Sequence, residues 1–149
     1  MSLQARILAS ALLLFPSSVA LAADTLTDRA EIDSKTAAFM ATAQEGKIEN
    51  AYQSLEPFLG VDAAPYQSSA KEAANYFTRV IESVGHPIGT AHVKTEVIGD
   101  HFTRQTWLQK FEAAAIAWRF TYYQPDSNGW KLVGVSYSTE LESLYQTAD

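Results

Sequence analysis

An α+β fold follows from three features of the sequence. Apolar residues recur at helical spacing as far as Val84 and at a period of two from Thr90 onward. The stretch Gly85-His86-Pro87-Ile88-Gly89 separates the two regimes with residues that stop helices. The composition, 47% hydrophobic and 19% charged over 149 residues, suits one packed domain rather than a disordered chain. The expected architecture is a single domain over residues 23–149, with three N-terminal helices packed on an antiparallel sheet of about four strands.

Residues 1–22 read as a secretory signal peptide. Arg6 supplies a positive start, Ile7 to Phe15 an apolar core, and Pro16-Ser17-Ser18 a break. Ala20-Leu21-Ala22 offers the small residues of a cleavage site, so cleavage is expected after about Ala22, with Ala23 as the alternative. The apolar run falls short of the ~20 residues of a membrane span. The chain has no cysteine, which excludes a lipid anchor at the cleavage site, disulfides, thiolate catalysis and Cys-ligated metals. A periplasmic protein with no membrane span is the resulting expectation.

The first helix is expected over Thr27–Gln44. Thr25 and Asp28 are spaced like a capping box, and Ile32, Thr36, Phe39, Met40 and Ala43 share one face before Gly46 ends the run. A short second helix, Ile48 to about Leu55, has Ile48, Ala51, Tyr52 and Leu55 as its apolar side and stops at Pro57. A loop is expected over Gly60–Tyr66. The third helix is expected from about Ser69 to Val84, with Ser69 and Glu72 as a capping box and Ala73, Phe77, Val80, Ile81 and Val84 as its stripe.

In the first strand, Ala91, Val93, Thr95 and Val97 alternate with His92, Lys94 and Glu96. Gly99-Asp100 suits a two-residue hairpin, which would place Ile98 opposite His101 and His92 opposite Trp107. Over Trp107–Trp118 the local signals balance. Trp107, Phe111, Ala114, Ala115 and Trp118 fit a helical face, while the poverty of a two-stranded sheet as a core favours two strands joined near Phe111–Ala114. Ile116, Trp118, Phe120 and Tyr122 then share one face, with Ala117, Arg119, Thr121 and Tyr123 on the other. The turn Gln124–Gly129 leads into a last strand, Trp130–Tyr137, with Val133, Val135 and Tyr137 alternating. Thr139–Tyr145 closes the chain as a short helix or an ordered tail.

Two segments carry a family resemblance. Gln44-Glu45-Gly46-Lys47-Ile48-Glu49-Asn50-Ala51-Tyr52 and the pair Trp118-Arg119-Phe120-Thr121-Tyr122-Tyr123 and Gly129-Trp130-Lys131-Leu132 resemble, in order and spacing, the nuclear-transport-factor-like and cystatin-like superfamily. They are similar in particular to small exported bacterial members with no established activity. The resemblance spans about residues 27–145 and implies a cone-shaped fold whose curved sheet wraps the long helix around a cavity. It also implies, through the pairing habits of such proteins, a homodimer. The superfamily includes isomerases, dehydratases, cyclases and transport factors, so fold alone does not choose a function.

Chemistry narrows the choice. A net charge of −6 offers no basic field for nucleic acid or anionic membrane. His92 and His101 would lie roughly 20 Å apart along the ribbon, and no metal-ligand spacing, phosphate loop or nucleophile elbow is present. No metal or cofactor is expected. Asp33 and Asp62 read as solvated or loop carboxylates. Arg104 and Arg119 could grip a carboxylate if they faced the cavity, but the simpler reading is a solvated sheet face paired with Glu96 or Glu112. The residues expected to line a binding cavity are Tyr52, Trp107, Trp118, Arg119, Phe120, Tyr122 and Tyr137. The leading expectation is a non-catalytic module for a small apolar or amphipathic ligand or an envelope protein partner. The alternative is a cofactor-free lyase or isomerase using a cavity acid or base with a tyrosine.

Overall fold

The computed structural model describes residues 24–148. The signal peptide expected over residues 1–22 lies outside these residues. The fold is α+β: helices α1 (Arg29–Gln44), α2 (Ile48–Leu55) and α3 (Ala63–Val84) precede strands β1 (Pro87–Ile98), β2 (Phe102–Phe111), β3 (Ala115–Tyr123) and β4 (Lys131–Ser138). The strands form one antiparallel sheet in the order β1-β2-β3-β4. Among the described residues no helix is long and apolar enough to cross a membrane.

α1 buries the five residues its periodicity selects, Ile32, Thr36, Phe39, Met40 and Ala43. Its start differs from expectation. Asp28, not Thr25, caps the helix, accepting from the Glu31 amide at 2.8 Å. Glu31 folds back to accept from both the amide and the hydroxyl of Thr27, and these bonds hold its carboxyl below its ordinary value. Thr25 instead donates to the Asn128 carbonyl. Just before the helix, Leu26 exchanges two backbone hydrogen bonds with Trp130 and is fully buried.

α2 buries Ile48, Ala51, Tyr52 and Leu55, as its spacing requires. The expected loop and the Ser69 capping box are corrected by α3, which begins at Ala63 and already contains Tyr66. Pro65 does not forbid this, because in the first helical turn a missing N–H has no intrahelical partner to lose. Tyr66 then points back at α2, its hydroxyl donating to the Tyr52 carbonyl at 2.7 Å.

The junction after α3 is tied to the turn between β2 and β3. Glu112 donates its amide to the His86 carbonyl and accepts at its carboxylate from the His86 amide, while the Ala113 amide donates to the Val84 carbonyl. The stretch Trp107–Trp118 is two strands, with Phe111 donating to the Ala114 carbonyl at 2.7 Å across the turn.

Two bulges shift the expected strand faces. In β1 the register slips between His92 and Lys94, so Thr95 and Val97 lie on the helix-facing side and Ala91, Lys94 and Glu96 on the outer side. The turn that follows is Gly99-Asp100-His101, and Ile98 pairs with Phe102 rather than His101. His92 nevertheless faces Trp107, because the longer turn and the extra strand residue cancel. In β4 the slip opposite Thr121 and Tyr122 puts Leu132, fully buried, where Val133 was expected. The strand itself starts at Lys131 rather than Trp130.

The core lies between the helices and one sheet face. Phe39 sits at its centre, with ring centroids 5.4, 5.2 and 4.9 Å from Tyr52, Trp118 and Phe120. Phe77 of α3 stacks on Trp118 at 5.0 Å and 10°.

Candidate functional site

The aromatic residues expected to line a cavity are placed in two groups and one outlier. Tyr52, Trp118, Phe120 and Tyr122 are at most 2% exposed; the rings of the first three pack around Phe39, and Trp118 also stacks on Phe77. Trp107 and Tyr137 flank this cluster, partly buried. Arg119 is on the opposite sheet face, where its guanidinium donates to the Ser143 hydroxyl at 3.2 Å. Arg104 shares that outer face and donates to Glu96 at 2.9 Å. That hydrogen bond and its charge hold the Glu96 carboxyl below its ordinary value.

Two buried phenols, Tyr66 and Tyr122, are hydrogen-bonded to protein partners. Tyr122 shares a 2.7 Å hydrogen bond with the Thr36 hydroxyl, which in turn donates to the Ile32 carbonyl. Burial pushes Tyr52, Tyr66 and Tyr122 well above the ordinary phenol value of 10.0.

A polar line on β2 escapes sequence reading. Gln105 and Gln109 are each 1% exposed on the helix-facing side. Gln105 donates to Asp33 on α1 and accepts from the Trp107 indole at 3.1 Å. Gln109 donates to the Ala43 carbonyl and accepts from the Trp118 indole at 2.9 Å. These glutamines satisfy buried indole N–H groups and a helix C-terminal carbonyl, so they join helix to sheet. The signal that could have found them is the pairing of Trp107 and Trp118, each needing an acceptor once buried.

His92 lies against Trp107 and within 3.0 Å of the Thr95 hydroxyl. Among the described residues no three His, Asp or Glu side chains converge as a metal site would need. Asp62 precedes α3 without a side-chain hydrogen bond to the helix.

A groove of about 540 Å³ opens instead between the C-terminal half of α3, the start of β3 and the tail after β4. Tyr76, Arg79, Val80 and Val84 line one side, from successive turns of α3. Ile116 of β3 forms the floor and Leu141 of the tail the far wall. Val80 and Val84 are partly buried, packing against the core on one side and lining the groove on the other, and of the expected α3 stripe only Ala73 and Phe77 are fully buried. Tyr76 is braced by stacking on Tyr137 at 5.0 Å. Arg79 is the groove's cation, and among the described residues no carboxylate pairs with it. An apolar trough with one unneutralised guanidinium can take an apolar chain that carries a single anionic head.

No protein-family model, no curated protein and no solved structure matches this chain.

Proposed function

We propose that this is an exported, periplasmic, non-catalytic binding module, released from its signal peptide after about Ala22, whose groove holds a small amphipathic carboxylic acid. The observation that carries the reading is the groove itself. Its volume of about 540 Å³ falls in the range of small-molecule sites, and its walls are apolar apart from Arg79 and a few hydroxyls. The binding role assigned from sequence to the aromatic cluster passes in this reading to Tyr76 and its neighbours, with Tyr137 as support.

The cone geometry implied by the family resemblance is part of the proposal. The bulges in β1 and β4 support it, since a bulge bends its strand and increases the local twist. A lyase or isomerase is the weaker reading, because Tyr122 and Tyr66 spend their hydroxyls on Thr36 and on the Tyr52 carbonyl.

Decanoate is a suitable probe. Titrated into the protein and followed by methyl NMR, it is expected to shift Val80, Val84 and Ile116 saturably, and Arg79→Ala is expected to weaken binding about ten-fold. Native mass spectrometry of the protein recovered from the envelope is expected to show a retained acid. Methyl signals that do not respond to decanoate, together with a ligand-free native mass, would reject the proposal. Export is checked separately, by the N-terminal sequence and compartment of the mature protein.

A further inference from the structure

We propose that β1 pairs edge to edge with β1 of a second copy of this chain, antiparallel and centred on Thr95. The two edges of the sheet differ. At β4 the neighbouring segment Leu59-Gly60 lies against the strand, with a parallel bridge from Leu59 to Leu132 and the Gly60 amide donating to the Leu132 carbonyl at 2.8 Å. At β1, among the described residues, no strand or bridge occupies the outer side. A strand of twelve residues with an uncovered edge is a template for another strand.

The side chains on that edge are apolar where a lone edge strand should be charged. Ile88, Val97 and Ile98 are 60%, 55% and 67% exposed, half of the exposed large hydrophobic side chains among the described residues. The charges present are few: Lys94 pairs with Glu96 at 3.5 Å within the chain and Glu96 also accepts from Arg104 at 2.9 Å, and the Lys94–Glu96 pair is self-complementary across a two-fold axis. Lys94 and Glu96 both lie on the outer sheet face, on either side of Thr95. A two-fold axis through Thr95 sets Lys94 opposite the partner's Glu96, and Glu96 opposite the partner's Lys94. Val97 then meets the partner's bulge at Val93, where the regular pairing ends.

The neighbouring registers that keep each side chain on its own face are worse. Sliding by one step places Glu96 on the partner's Glu96; sliding the other way places Lys94 on the partner's Lys94. Like charges directly opposite destabilise a strand pair, so the register is chosen by charge. The contact is isologous, so each favourable pair occurs twice. Val93 is the extra residue of the β1 bulge, which keeps the regular stretch short and the association reversible.

Charge swaps test this directly. Sedimentation equilibrium of the mature protein is expected to show a monomer–dimer equilibrium. Lys94→Glu and Glu96→Lys, each creating two like-charge contacts, are expected to weaken it about ten-fold or more. The triple variant K94E/E96K/R104E reverses both charges together with the Arg104 that pairs with Glu96 and is expected to restore it, whereas Arg79→Ala leaves it unchanged. A wild-type protein that stays monomeric overturns the proposal, as does a dimer that ignores both single changes or is not rescued by the triple one. If a variant fails to fold, amide exchange of the wild type at low and high concentration decides. Protection gained along Lys94–Ile98 supports the pairing, and its absence overturns it.

Discussion

Gly85 shows how a single residue can carry a junction. It adopts φ +90° at the end of α3, a region that side chains rarely enter, and a Cβ there would lie 1.9 Å from the Glu112 carboxylate. Gly46 also has positive φ, at +80°, but no atom lies within 4 Å of where its Cβ would go. The pair separates conformational strain from collision. Gly46→Ala is expected to cost roughly 1 kcal/mol, the backbone penalty alone. Gly85→Ala is expected to cost at least about 2 kcal/mol more, because it also dislodges the carboxylate that accepts from His86. Urea unfolding of both variants checks the difference. The glycine was legible in the sequence as a helix stop, whereas its contact with Glu112, 27 positions later, was not. Gln105 and Gln109 were illegible for a related reason. Their burial depends on which indoles sit opposite them, and the odd positions of β2 mix Thr, Gln and Trp without apolar alternation.

Helix ends and strand faces set the limits at the next scale. The faces of α1 and α2 could be read because each is one unbroken helix, so a single period decides every position. The start of α3 could not, because Pro65 looks like a loop residue but is tolerated in a first turn. The face of β1 beyond His92 could not either, because one extra residue inverts the alternation across it, and in β4 Val135 and Tyr137 keep the expected face while the same device puts Leu132 in place of Val133. The cap of α1 is a test at this scale. Asp28→Ala removes the acceptor for the Glu31 amide and is expected to cost about 1 kcal/mol, while Thr25→Ala should cost less despite its capping-box spacing. Thermal melts of both variants check the order.

Taken as a whole, the molecule encloses three phenols whose ionisation it opposes. Tyr52, Tyr66 and Tyr122 have values raised by burial when folded, against 10.0 when exposed. A raised value favours the neutral form, so the associated stability is fully present below pH 10.0 and is lost as pH climbs above it. The expected result is a cooperative alkaline transition. Tyrosinate absorbance of these residues and loss of near-ultraviolet dichroism should rise together; early titration of all the tyrosines with intact dichroism would contradict it. The overall class was readable from the change of period at Val84. How the aromatic half closes was not, since stripes from α1, α3 and β3 all supply rings, and their spacing in the sequence cannot tell whether they surround a space or fill it.

The Leu59–Leu132 bridge has a consequence for higher assembly. A sheet with two open sides could add subunits indefinitely and grow into a fibril. With Leu59-Gly60 seated on β4 at Leu132, strand addition at that side is obstructed where the strand begins, and the proposed pairing of two β1 edges closes on two copies.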